Sequence, residues 1–489
     1  MFEALETGQK ISREAFDAVA VSLRSELLEL QRRLKDADFP VIILFAGVDG
    51  AGKSESVNLL NEWLDPRWID SRAYGDPSEE ERQRPHFWRY WRDLPAKGKI
   101  GLFLSGWYSH PIVERVYGRS KRRDFEYRLD RIRHLERQLS DDGALILKFW
   151  MHLDRSAQKK RLKALEADPL QRWRIGRRAW KNWRRYDEFI EAAETAIHRT
   201  NGWTLIDGED ARYRSLTLLT ILKERLARHL AERDRRPPVP KPATVVPMRT
   251  VLDQLDLSQK IEADSHDRQW QEARAELAIA AREAAKRGIA TVLAFEGWDA
   301  AGKGGAIRRV AASLDARDYQ VVPIAAPSEE ERAQHYLWRF WRHVPRDGRF
   351  TIFDRSWYGR VLVERVEGFA RPDEWGRAYD EINDFEEQLH HHGILLGKFW
   401  LHISSEEQYR RFKEREQTAY KNWKLTEEDW RNRAKWDEYC LAVHDMVEKT
   451  STVQAPWTLV EGNDKNFARL KILRGVTGLI RQRLAQPQG

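Results

Sequence analysis

TVLAFEGWDAAGK, residues 291–303, decides the fold. A largely apolar run ends in glycine, four residues intervene, and a second glycine precedes lysine. This is the G-x-x-x-x-G-K spacing of a phosphate-binding loop, set between a buried strand and a helix. Glycines let successive backbone N–H groups curl around an anion. The helix that follows presents its positive end, and the lysine adds a point charge. VIILFAGVDGAGK, residues 41–53, repeats the arrangement 250 residues earlier. A glycine-rich turn without a ligand is the plain alternative. Two occurrences, each after an apolar strand, favour phosphate.

Working outward, the 250-residue offset persists. It joins PSEEER at Pro77 and Pro327, WRYWR from Trp88 to WRFWR from Trp338, and VERV at Val113 and Val363. It also joins KFWMH from Lys148 to KFWLH from Lys398, and YDEF from Tyr186 to WDEY from Trp436. A short insertion then sets WTLIDG from Trp203 against WTLVEG from Trp457, 254 residues apart. The chain is therefore a tandem duplication. We expect a first domain over 1–232, a proline-rich linker over 233–250 (RDRRPPVPKPATVVP at 233–247), and a second domain over 251–489. Each copy reads as a helical lead-in, then apolar strands alternating with polar helices. Strand candidates in the second copy are VVPIA from Val321, FTIFD from Phe350, ILLGKFWLHI from Ile394 and WTLV from Trp457. That alternation predicts an α/β fold in each copy, a P-loop kinase-like parallel sheet flanked by helices, with a helical lid.

Composition narrows the class. Of 489 residues, 41% are apolar and 33% charged, enough for two cores and too polar for a membrane protein. The N-terminus, MFEALETGQK, lacks a basic-then-apolar signal. The single cysteine, Cys440, excludes an internal disulfide framework and a multi-cysteine zinc cluster, as expected for a reducing cytoplasm. A net charge of +8 suggests an anionic partner without saying which.

The chemistry is concentrated in the second copy. Gly297, Gly302, Lys303, Gly304 and Gly305 form the phosphate cradle, although the first copy, with Ser54, completes the motif better. Asp299 lies inside the loop, where a carboxylate repels phosphate unless a cation intervenes. It reads as a magnesium ligand, direct or through water, with a loop-capping Asx turn as the alternative. Asp354 ends the strand FTIFD, where parallel sheets collect a metal ligand, and Arg355 is suited to bidentate phosphate binding. The first copy has Leu104 and Ser105 at these positions. Charge therefore assigns catalysis to the second copy and a largely structural role to the first. On a helix, Arg332, Arg339 and Arg342 fall within about 80° of one another, a row suited to a polyanion or to a solvated face paired with Glu329–Glu331. In the basic, aromatic stretch from Tyr409, Arg411, Arg415, Lys421 and Lys424 are candidates for a lid closing over phosphates.

GWDAAGKGG from Gly297, PSEEE from Pro327, FDRSWYGRVLVERV from Phe353, KFWLHIS from Lys398 and KNWKLTEEDW from Lys421 together resemble the type-2 polyphosphate kinases. The second copy is similar end to end, the first more weakly. Two fused copies resemble the subgroup of polyphosphate:AMP phosphotransferases. The resemblance implies magnesium, with manganese as an alternative, and inorganic polyphosphate as donor to AMP, giving ADP. It implies catalytic roles for Asp299, Lys303, Asp354 and Arg355, with the metal on Asp299 and Asp354. Single-copy relatives use ADP or GDP as acceptor, so ADP phosphorylation is a second reading. An ATP-dependent nucleoside monophosphate kinase and a non-catalytic polyanion binder are rivals. Neither nucleic acid nor membrane is expected as a partner. A fused pair is able to replace a homodimer, and a homo-oligomer of the whole chain stays open.

Overall fold

A computed structural model describes residues 1–6, 8–233, 249–417 and 426–486. Most of the proline-rich segment, together with Lys421 and Lys424, lies outside the described residues. The chain divides into two compact units. One comprises residues 1–77, 89–237 and 329–335, the other 78–88, 238–328 and 336–489.

The first unit holds strands β1 (Val41–Gly47), β2 (Ile69–Ala73), β3 (Ile100–Leu104), β4 (Leu145–His152) and β5 (Trp203–Asp207). They form one sheet of order β2-β3-β1-β4-β5, and every pairing is parallel. The second unit holds β6 (Thr291–Gly297), β7 (Tyr319–Pro323), β8 (Phe350–Asp354), β9 (Leu395–His402) and β10 (Trp457–Glu461). Its order, β10-β9-β6-β8-β7, repeats the first. The expected α/β duplication is present. β1 and β6 are buried along nearly their whole length, as central strands covered on both faces must be. Ser12 caps the lead-in helix Arg13–Leu34, which packs on the closing helix Ala211–Arg233. In the second unit the helix Ala263–Lys286 packs on Lys465–Leu484 in the same way. Among the described residues no helix is long and apolar enough to cross a membrane.

Topology places the site. After β6 the chain leaves between two neighbours reached by opposite crossovers, β8 on one side and β9 on the other. This is the switch point at which open parallel sheets leave a crevice beyond their carboxyl ends. Register sets Phe295 beside Asp354 and Gly297 beside Leu401. The end of β8 therefore lies against the loop that follows β6.

Candidate active site

Backbone geometry explains the loop glycines. Gly297 has φ +148°, and a β-carbon there would stand 2.5 Å from the Leu401 carbonyl oxygen. At Gly47 the corresponding distance, to Met151, is 2.0 Å. Gly302 at φ +109° turns the chain into the helix Lys303–Ala311, as Gly52 at +92° does for Lys53–Trp63. Ala300 (φ +63°) and Arg355 (φ +65°) are held in the left-handed region without being glycine, an uncommon conformation that Ser105 (φ +56°) keeps at the Arg355 position of the first copy.

The expected residues Asp299, Lys303, Asp354 and Arg355 come together here. Lys303 Nζ donates to the carbonyls of Gly297 and Trp298. Burial lowers its affinity for a proton and Arg355 adds to that, while Asp299, Glu296 and Asp354 oppose it. Both expected metal-binding carboxylates therefore act on one ammonium. Burial also works against charge on Arg355, but Asp299, Glu296, Glu428 and Asp354 outweigh it and raise its pKa. Arg355 reaches Asp299 Oδ1 at 3.3 Å. Asp299 is held from two further sides: Asn432 donates to its Oδ2 at 3.0 Å, and Gln408 to its carbonyl at 3.2 Å. Gly304 and Gly305 begin the helix, and a β-carbon on Gly304 would lie 4.0 Å from Asp354 Oδ2. Among the described residues no group of three or more His, Cys, Asp or Glu side chains is arranged to hold a metal. Two hard carboxylates, on the loop and at the neighbouring strand end, suit magnesium, which keeps waters and takes substrate phosphate oxygens as ligands.

Beneath the loop, Glu296 is buried, and burial raises its carboxyl pKa against the hydrogen bonds it accepts. It accepts from Ser356 N at 2.7 Å and Ser356 Oγ at 2.8 Å, pinning the turn that carries Arg355. The first copy has Ala46 and Gly106 in these places. One residue further on, Trp357 Nε1 and Tyr358 OH donate to Glu386, which also receives Lys398 Nζ at 2.8 Å. Lys398 donates to the Thr450 carbonyl as well. The first copy preserves this network in Trp107, Tyr108, Glu136, Lys148 and Thr200. The turn is thus braced in both copies, but it bears charges in one.

Several expectations need correction. The arginine row is not on one helix: the chain forms Glu329–Arg332 and Trp338–Trp341 with a break between them. The first of these turns faces solvent, whereas Tyr336 to Trp341 are buried apart from Arg339, so the chain must redirect. Arg332 groups with the first compact unit, Arg339 and Arg342 with the second. Arg339 donates to the Ala325 carbonyl, and Arg342 lies over the Trp338 ring. Arg411 is not a phosphate ligand in this arrangement. It is 3% exposed, and its guanidinium donates to Glu407 and to the carbonyls of Ala300, Ala301, Gly462 and Asn463. Those bonds use all five of its N–H groups and make it a brace beneath the loop. Arg415 sits in the last turn of the helix Ser405–Gln417.

Three arginines went unread in the sequence. Arg309 and Arg469 flank Gly305, and the positive charges of Arg308, Arg309 and Arg411 add to burial in lowering the Arg469 pKa. Asp464 is the carboxylate that opposes the lowering at Arg469, and Gly305 adds no carboxylate to this face. The first copy has Glu55 there, paired with Arg161, Arg174 and Arg214, while Asn58, Leu59 and Ser215 replace Arg308, Arg309 and Arg469. The signal was available as a difference between the copies.

The chain matches the family described as Polyphosphate kinase 2 (PPK2) over residues 10–234 and 260–487. It is 52% identical to a polyphosphate:AMP phosphotransferase of Pseudomonas aeruginosa, covering 98% of each chain. A polyphosphate:AMP phosphotransferase of Acinetobacter johnsonii is 38% identical over 89% of this chain and 90% of its own. A crystal structure of a polyphosphate kinase 2 from Pseudomonas aeruginosa superposes with a TM-score of 0.88 at 49% identity, over 99% of both chains. With a G-x-x-x-x-G-K loop at each switch point and both copies matched, this chain belongs to the polyphosphate kinase 2 family.

Proposed function

We propose that the second copy transfers the terminal phosphoryl group of inorganic polyphosphate to AMP, forming ADP. The observation that carries this is the convergence of Asp299, Asp354, Lys303 and Arg355 beside the carboxylate-poor face of Arg308, Arg309 and Arg469. The loop amides and Lys303 hold the phosphates, and Arg355 binds the oxygens that gain charge during transfer. Asp299, kept in place by Asn432 and Gln408, and Asp354 would hold magnesium together with water and phosphate oxygens. When bound between these carboxylates, the ion would supply charge neutralisation to the phosphates. An AMP phosphate oxygen is already anionic near neutral pH, so no side chain is needed as a base. One phosphoanhydride bond breaks in polyphosphate as another forms in ADP, at little net free energy, so positioning and electrostatics suffice. Relatives over the full length carry the same activity in their names.

The test is a product assay on the full chain with magnesium, polyphosphate, and AMP or ADP supplied separately. ADP forms from AMP. Conversion of AMP only when ATP replaces polyphosphate sinks the proposal in favour of a nucleoside monophosphate kinase, and ATP as the main product from ADP favours the second acceptor. Salt gives an independent reading, because a polyanion held by arginines releases counterions on binding. Raising salt from about 50 to about 200 mM raises KM for polyphosphate roughly tenfold and KM for AMP far less. Arg469→Ala raises the polyphosphate KM by about tenfold, measured at fixed saturating AMP. Equal movement of both KM values counts against the arginine face.

A further inference from the structure

The larger of the two P-loop cavities lies in the copy without the catalytic charges. In the first unit it measures about 280 Å³, against about 70 Å³ beside Lys303. Three replacements account for this. Val48 stands where the second copy has Trp298, Tyr186 where it has Trp436, and Ser105 where it has Arg355. Trp298 and Trp436 stack at 3.8 Å and fill the corresponding space. The loop itself is intact. Lys53 Nζ donates to the carbonyls of Gly47 and Val48 at 2.7 Å each, and Asn182 holds Asp49 at 2.8 Å as Asn432 holds Asp299. A phosphate cradle without a metal-binding strand end has therefore been kept and its cavity enlarged.

The lining has the character of a nucleotide pocket. Lys53 and Asp49 stand on the loop side, and Tyr74, Tyr90, Trp150 and Tyr186 supply aromatic walls. Trp150 is 1% exposed and its indole nitrogen has no partner among the described residues, a feature shared by Trp400 in the second copy. Gln158 Oε1 also has no partner among them, on a side chain 2% exposed whose amide nitrogen anchors Asp49. Buried polar atoms without partners are costly, and Gln158 Oε1, whose counterpart in Gln408 accepts from Arg433, points to a ligand that supplies a donor. The volume sits near the lower end for small-ligand pockets. Charge limits the ligand. Glu55 is tied to three arginines, and Leu104 replaces the strand-end acid. Lys53 is the cation that stands against the Asp49 carboxylate, so one phosphate monoester with an aromatic base fits where a long polyanion or a metal-bound triphosphate finds little to hold it.

We propose that this cavity is a second, non-transferring nucleotide site that takes AMP. The choice of adenine rests on the acceptor proposed above; the site itself does not. The test is equilibrium dialysis of the full chain with labelled AMP, without polyphosphate. The expected result is a class of AMP binding that Lys303→Ala leaves in place, that Val48→Trp abolishes by filling the cavity, and that Lys53→Ala weakens at least tenfold, with thermal unfolding of each variant as the folding check. Binding that survives both first-copy substitutions, or that Lys303→Ala alone removes, overturns the proposal. Inorganic phosphate displacing AMP at equal concentration overturns the nucleotide assignment. Failure of the functional reading looks different: no transfer from polyphosphate, with this binding intact.

Discussion

Lys303→Ala lowers ADP formation from polyphosphate and AMP by about a thousandfold or more, and Asp354→Leu does the same, whereas Lys53→Ala costs less than about fivefold. A thousandfold corresponds to about 4 kcal/mol of lost transition-state stabilisation, within reach of one charged group in a water-poor site. The asymmetry is the informative part. Both lysines follow the same glycine pattern, both are part-buried, and both donate to the two carbonyls at the start of the loop. A motif rule prefers Lys53, because Ser54 completes its pattern and Gly304 does not. Surroundings reverse that preference. Lys303 stands among Asp299, Asp354, Glu296 and Arg355, while Lys53 has Asp49 alone as a nearby charge. Asp354→Leu installs the residue found at position 104, so it tests whether one substitution accounts for most of the difference between copies. Initial rates at saturating donor and acceptor decide it. Equal losses at Lys53 and Lys303 would mean that both copies turn over.

The parts legible in the sequence were those fixed by short-range geometry. A buried strand feeding a glycine turn has few alternatives, and the 250-residue offset let each element of one copy check the other. What escaped depends on which groups meet from distant positions. Arg411 reads as a lid cation in sequence, but the carbonyls it satisfies belong to residues 300, 301, 462 and 463, brought together around it only by the folded sheet. Arg469 lies about 160 residues from Arg308 and Arg309, and its role emerges from what is missing at Gly305. Glu296 carried no motif at all. Its function became visible because Ala46 and Gly106 remove the carboxylate and its acceptor-bound partner together in the copy that has lost Arg355.

Glu386→Ala lowers the unfolding midpoint of the unit that carries it by about 10 °C, reflecting a loss of about 3–5 kcal/mol. Lys398 and Glu386 are 0% and 2% exposed in their side chains. Burial disfavours the charge on both, lowering the lysine pKa and raising that of the glutamate. The pair survives because every strong donor has a carboxylate or carbonyl within reach. Removing the carboxylate leaves an ammonium in an apolar interior and strips Trp357 and Tyr358 of their acceptor, which is the costly way to break such a pair. Replacing both partners, Lys398→Met with Glu386→Leu, leaves no orphaned charge and recovers part of the loss, the remainder being the Trp357 and Tyr358 donors still without an acceptor. Glu136→Ala, at the matching network of the first copy, destabilises its own unit to a similar extent. The two single variants then part on activity, measured well below either midpoint. Glu386 anchors the two residues that follow Arg355 and Ser356, so its loss lets the strand-end turn relax and kcat falls at least tenfold. Glu136 anchors a turn that bears Leu104 and Ser105, and kcat holds. A midpoint shift below about 2 °C at Glu386 would remove the stability argument. Equal kcat losses for Glu136→Ala and Glu386→Ala would remove the link between this buried pair and the reacting phosphates.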